Sequence, residues 1–137
     1  MRLRVVLDTN VLVAGIKNAS GAPGAIVGRA FRGEFVVLFN SKIMAEYKRI
    51  LLLARFNFAK EEVRGILSRI RRVGRAVRRR SKPLRVALPD PKDRPFMDAG
   101  VAGKAHAIVT KNVDDFPIEC GVPIYTPVAF LRRLESL

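Results

Sequence analysis

Phe35-Val36-Val37-Leu38-Phe39 decides how the chain folds: a continuous apolar run of strand type, bounded by Gly33 and Asn40. A run without polar alternation belongs to a strand buried on both faces, as in a parallel sheet. Upstream, Ala25 to Phe31 reads as a short helix, preceded by Gly21, Pro23 and Gly24. Further upstream, Arg4-Val5-Val6-Leu7 is a short apolar strand ending on Asp8. Downstream, Ser41 caps an expected helix from Lys42 to about Leu53.

From Glu61 to about Arg80 the residues Val63, Ile66, Leu67, Ile70, Val73 and Val77 keep helical spacing. Arginines crowd the C-terminal end of this segment and glutamates its start, as the helix dipole favours, and Pro83 ends it. Leu84 to Leu88 reads as a short strand, Pro89-Asp90-Pro91 as a loop and Phe96 to about Lys104 as a helix. Ala107-Ile108-Val109-Thr110 and Pro123-Ile124-Tyr125 read as strands, and Val128 to Leu134 as a closing helix introduced by Thr126-Pro127. Strands alternate with helices throughout, so the expected class is α/β: one domain over residues 1–137, with a mainly parallel central sheet flanked by helices. Sites in such folds gather at the carboxyl ends of the strands.

Lysine and arginine total 26 against 12 acidic residues, a formal net charge of +14. So positive a field favours RNA, DNA or an acidic protein as partner. The single cysteine, Cys120, excludes an internal disulfide. The start of the chain has no secretion-signal pattern, and no apolar run approaches the roughly 18–20 residues that span a bilayer. The expectation is a cytoplasmic protein with no membrane partner.

The few acidic residues fall at telling places. Asp8 directly follows the first strand, Glu46 lies in the helix after the second, and Asp93 with Asp90 and Asp98 borders the helix near Phe96. Asn112, Asp114 and Asp115 follow the strand ending at Thr110. Each has a bland reading: a turn or cap for Asp8 and Asp93, a solvated partner of Lys42 or Arg49 for Glu46, an ordinary loop for the last group. Together they converge on one edge of a doubly wound sheet, where carboxylates repel one another unless a cation is present. Hard oxygen ligands suit Mg²⁺ or Mn²⁺, which serve in-line displacement at phosphorus. No paired Cys/His zinc motif, Walker loop or dinucleotide fingerprint is present, and the one histidine, His106, reads as structural.

These residues stand in four motifs. Val6-Leu7-Asp8-Thr9-Asn10-Val11-Leu12-Val13, the Ser41–Glu46 stretch with Tyr47, Asp90-Pro91-Lys92-Asp93-Arg94-Pro95-Phe96-Met97, and Ala107 through Asn112 to Phe116-Pro117 follow in order. In this the sequence resembles the PIN-domain family, particularly its branch of toxin–antitoxin toxins, over essentially the whole chain. The resemblance implies an acidic pocket on a parallel α/β sheet and Mg²⁺- or Mn²⁺-dependent endonuclease action on single-stranded RNA. It maps Asp8, Glu46 and Asp93 onto the catalytic, metal-binding acids, and Asn10 and Thr110 onto supporting polar positions. The fourth acid falls at Asn112, which brings an oxygen but no charge, with Asp115 or Asp114 as substitutes. The resemblance also implies a small antitoxin partner and a homodimer.

Arg71, Arg72, Arg75, Arg78 and Arg79, with Lys42, Lys92 and Lys111, are the expected grips on the RNA backbone. The competing expectation is an RNA-binding module without catalysis, weakened by Asn112. A metal-dependent phosphatase does not fit, because Asn10 stands where its second aspartate would be. A receiver domain does not fit either, because the first strand lacks its acidic pair.

Overall fold

The computed structural model describes residues 2–78 and 85–137. Among them, in chain order, are β1 (Arg4–Leu7), α1 (Thr9–Lys17), α2 (Ala22–Phe31), β2 (Val36–Phe39), α3 (Ser41–Leu51), α4 (Lys60–Val73), β3 (Arg75–Ala76), α5 (Arg94–Ala102), β4 (Ala107–Val109), β5 (Ile124–Tyr125) and α6 (Pro127–Glu135). The strands form one sheet in the order β3-β2-β1-β4-β5, every neighbouring pair parallel. Val5 pairs with Val37 on one side and Ala107 on the other, which makes β1 the centre of the sheet.

The apolar runs behave as their composition requires. Val5, Val6 and Leu7 of β1, Val36, Val37 and Leu38 of β2, and all of β4 are buried, sealed on both faces by helices. Phe35 meets Phe130 of α6 edge-on, ring centroids 5.6 Å apart. Gly15 lets α1 lie directly on α2, because a Cβ there would stand 2.5 Å from Val27 Cγ2 and 2.7 Å from the Pro23 carbonyl oxygen.

Several local expectations are corrected. The segment from Glu61 does not stay helical to Arg80; α4 ends at Val73. A Cβ at Gly74 would lie 2.5 Å from the Val37 carbonyl oxygen, so only glycine lets the chain turn there onto β2. Arg75 and Ala76 then pair with Leu38 and Phe39, and the Val77 N–H donates to the Phe39 carbonyl at 2.7 Å. Val77 is thus packed from the segment just after β3 rather than from the helix its spacing suggested. Residues 85–88 form no strand, while Leu84, Pro83 and Arg79 lie outside the described residues.

The cap of α3 is Asn40 rather than Ser41: its Oδ1 accepts from the Ile43 N–H at 2.8 Å, and its Nδ2 donates to the Pro95 carbonyl at 3.0 Å. The helix α1 directly after β1 was not foreseen, since Asp8-Thr9-Asn10 reads equally well as a turn. The helix expected from Ala25 starts at Ala22, with Pro23 in its first turn, and the one expected from Phe96 starts at Arg94.

Candidate active site

Asp8 is where β1 hands over to α1. It is only 7% exposed. Its Oδ1 accepts from the Thr9 N–H at 2.9 Å, and its Oδ2 accepts from the Thr110 hydroxyl at 2.7 Å. Thr110 is fully buried at the end of β4, next to β1 in the sheet, and its Oγ1 also accepts from the Asn112 N–H at 3.0 Å. The neighbouring loop reaches back to Asn10, whose Oδ1 accepts from the Lys111 N–H at 3.4 Å. Asp8 is therefore a helix cap and a fixed, buried carboxylate at once.

The other acids reach the same place from different elements. Glu46, on α3, lies beside Tyr47, whose buried hydroxyl donates to the Leu7 carbonyl. Asp93 stands at the start of α5 but makes no capping hydrogen bond, so its carboxylate remains for other use. Asp90 accepts from the Lys92 N–H at 3.0 Å, and Asp115 lies in a short 3-10 turn, Val113–Asp115. These five acids share one cleft of about 430 Å³ at the carboxyl ends of β1 and β4, with Asn10, Asn112, Lys92 and Lys111 on its walls. Asp114 and Asp98 do not line it, and His106 accepts the Arg4 N–H on its Nδ1, away from the cleft.

The crowding is visible in the electrostatics. Asp8 is pushed above the ordinary carboxylate range, chiefly by burial and also by Asp115 and Glu46, against the hydrogen bonds from Thr110 and Thr9. Asp93 is raised to about 7, first by burial, then by the charges of Asp8, Asp90 and Asp115. Its Oδ2 is buried with no hydrogen-bond partner, an orphaned acceptor of the kind that a cation or a water satisfies. The donors are all oxygen, which is the chemistry of a hard divalent ion. Glu46 is turned outward onto Arg49, with contacts of 2.9 and 3.2 Å, so its bland expectation also holds. Accordingly, among the described residues no three Asp, Glu, His or Cys side chains already stand gathered as an ion-binding group.

Thus Asp8, Glu46, Asp93, Asn10, Asn112 and Asp115 come together, with Thr110 beneath them. Of the expected RNA-gripping arginines, Arg71, Arg72, Arg75 and Arg78 do not join them. Arg71 and Arg72 close α4, Arg75 lies in β3, and Arg78, with Lys42, borders a separate basic hollow that also holds Arg85 and Arg94. Missed from the sequence are Lys17, Arg55 and Phe56, which also line the cleft. The signal was Arg55-Phe56-Asn57-Phe58, two aromatics and a cation within a helix connection.

A parallel α/β sheet with carboxylates gathered at its strand ends is an arrangement that can hold a hard divalent ion over a phosphate. The PIN-domain family model matches residues 4–114, and the chain belongs to that family, whose members are generally nucleases. No curated protein matches the chain.

Proposed function

We propose that the protein is a divalent-metal-dependent endoribonuclease that cleaves single-stranded RNA, and that it serves as the toxin of a toxin–antitoxin pair. The observation that carries the reading is the convergence of Asp8, Glu46, Asp93 and Asp115 on one cleft, two of them raised in pKa and one with an orphaned oxygen. In this reading Asp8, Glu46 and Asp93 hold the ion, with Asn112 or Asp115 at a further position. A bound Mg²⁺ or Mn²⁺ would supply charge neutralisation at the phosphate and a lower pKa for water.

The chain's own groups do the rest. Thr110 and the Thr9 N–H fix both oxygens of Asp8, so the carboxylate does not reorient as charge builds. A cleft carboxylate accepts the proton of the attacking water, and Lys92 and Lys111 on the walls attract the phosphate backbone. Arg71, Arg72, Arg75 and Arg78 extend that attraction over the surface. The toxin role, the antitoxin and a homodimer rest on family resemblance. A cytoplasmic setting is consistent with the buried free thiol of Cys120, and no helix among the described residues is long and apolar enough to cross a membrane.

The second reading, an RNA-binding module without catalysis, is favoured by Asn112 in place of a fourth acid and by the engagement of Glu46 with Arg49. Incubating the protein and Asp8→Asn with labelled single-stranded RNA, in Mn²⁺, Mg²⁺ or EDTA, decides between them. Metal-dependent cleavage that the variant loses supports the nuclease. Equal binding by both proteins without cleavage supports the module.

A further inference from the structure

The cleft that holds the carboxylates has a second half that the hydrolysis above does not use. Val13 and Ala14 on α1, Ile50 on α3 and Phe56 give it an apolar lining. Lys17 and Arg55 stand at its rim. Phe56 closes a short 3-10 turn, Ala54–Phe56, between α3 and α4. The next residue, Asn57, has φ 53°, a left-handed conformation that asparagine tolerates better than most residues. That turn brings Phe58 alongside, with ring planes 22° apart and centroids separated by 6.3 Å.

The Phe56 ring is partly exposed and carries two cations. Lys17 Nζ lies 5.1 Å from its centroid and Arg55 Cζ 4.9 Å. Such contacts are weak at an exposed site, so a flat aromatic ligand can displace one cation and leave it free for an anion.

Apolar side chains beside an aromatic ring, two exposed cations on that ring, and acids in the same cleft match the parts of an unpaired nucleotide. The base has a π-face for the ring, the phosphate meets the cations, and the next linkage reaches the carboxylates. An acidic peptide would be drawn to the rim but repelled by the acid floor, and a basic peptide the reverse. A base locked in a duplex cannot reach the ring.

We propose that Phe56 is a stacking platform for one unpaired nucleobase of the substrate strand, with Arg55 and Lys17 gripping the adjoining phosphate. The proposal rests on the nuclease reading for the identity of the substrate, and it names the feature that makes the cleft select single strands.

The test uses the full chain in EDTA, so that cleavage does not enter, and a short oligoribonucleotide carrying 2-aminopurine, alone or annealed to its complement. Binding of the single strand should quench the probe. Phe56→Ala should abolish the quenching and weaken single-strand binding by about tenfold, with duplex binding unchanged. Phe56→Trp should retain both signals. Phe56→Leu, which keeps apolar bulk, should melt with the parent yet lose the quenching. The proposal is overturned if the wild type fails to bind or quench the single strand, if the alanine or leucine variant quenches like the wild type, or if single-strand and duplex binding fall together. Because no metal is present, a chain that never cleaves RNA can pass this test, and one whose cleavage depends on Asp8 can fail it.

Discussion

The Tyr47 hydroxyl donates a hydrogen bond to the Leu7 carbonyl, joining α3 to the last residue of β1 beneath the cleft. One residue along from each partner stands an acid, Glu46 on the helix and Asp8 after the strand. Burial, and secondarily the charge of Asp8, push the phenol up, so it remains a proton donor across the whole working range. Tyr47→Phe should therefore cost about 1 kcal/mol of stability. It should also lower cleavage, because the spacing of the two acids loses its tie. Urea denaturation beside the cleavage assay measures both; unchanged stability together with unchanged cleavage would remove the bond from any role.

Thr110 is fully buried and reaches Asp8 through its hydroxyl. Thr110→Val keeps the shape of the side chain but removes the donor to Asp8 Oδ2 and the acceptor for the Asn112 N–H. Metal affinity or activity should fall by about 10–100-fold. A Mn²⁺ titration of the variant gives the answer, and Thr110→Ser, which restores the hydroxyl, should recover most of the loss.

In the metal-free protein, stability should fall as pH rises. Asp93 titrates at about 7 in the fold, against about 3.9 for an unfolded aspartate. The folded state therefore binds more protons between those values, so the stabilisation is full at the low end and is lost as pH climbs through 7. Asp8 is shifted in the same direction. His106 opposes them: burial, Arg4 and Arg133 lower it, so its contribution is lost as pH falls through its folded value. Melting in EDTA across this range should show a decline toward neutrality that Asp93→Asn flattens. A profile identical in the variant would mean that the Asp93 carboxyl is not strained.

Arg49 competes for Glu46, holding both its oxygens. An exposed pair of this kind is weak, so Arg49→Ala should tighten Mn²⁺ binding only a few-fold and leave folding intact. Weaker binding would show instead that Arg49 orients Glu46 toward the ion.

What the sequence made legible follows the range of the forces involved. The apolar runs of β1, β2 and β4 were readable because burial on both faces leaves no polar alternation, and Asp8 was readable as the residue where such a run stops. The end of α4 was not, because Val77 lies four residues beyond Val73 and continues the helical spacing. Where the helix ends, Gly74 lies so near the Val37 carbonyl of β2 that a Cβ would not fit, a closeness set by a distant strand. The helix α1 was hidden because a cap and a turn use the same residues. Each acid of the cleft could be named, but the turning of Glu46 onto Arg49 and the approach of Phe56 from the α3–α4 connection are set by tertiary packing.

The placement of β1 at the middle of the sheet bears on how the protein comes into being. Its neighbours are β2, soon after it in the chain, and β4, so that Asp8 and the Thr110 hydroxyl that fixes it lie 102 residues apart. A chain growing on the ribosome makes this acid 102 residues before the hydroxyl that fixes it. Pairings between segments so distant are the slowest to form. Asp8 therefore waits, unfixed, until a segment far along the chain has been made and has paired beside it.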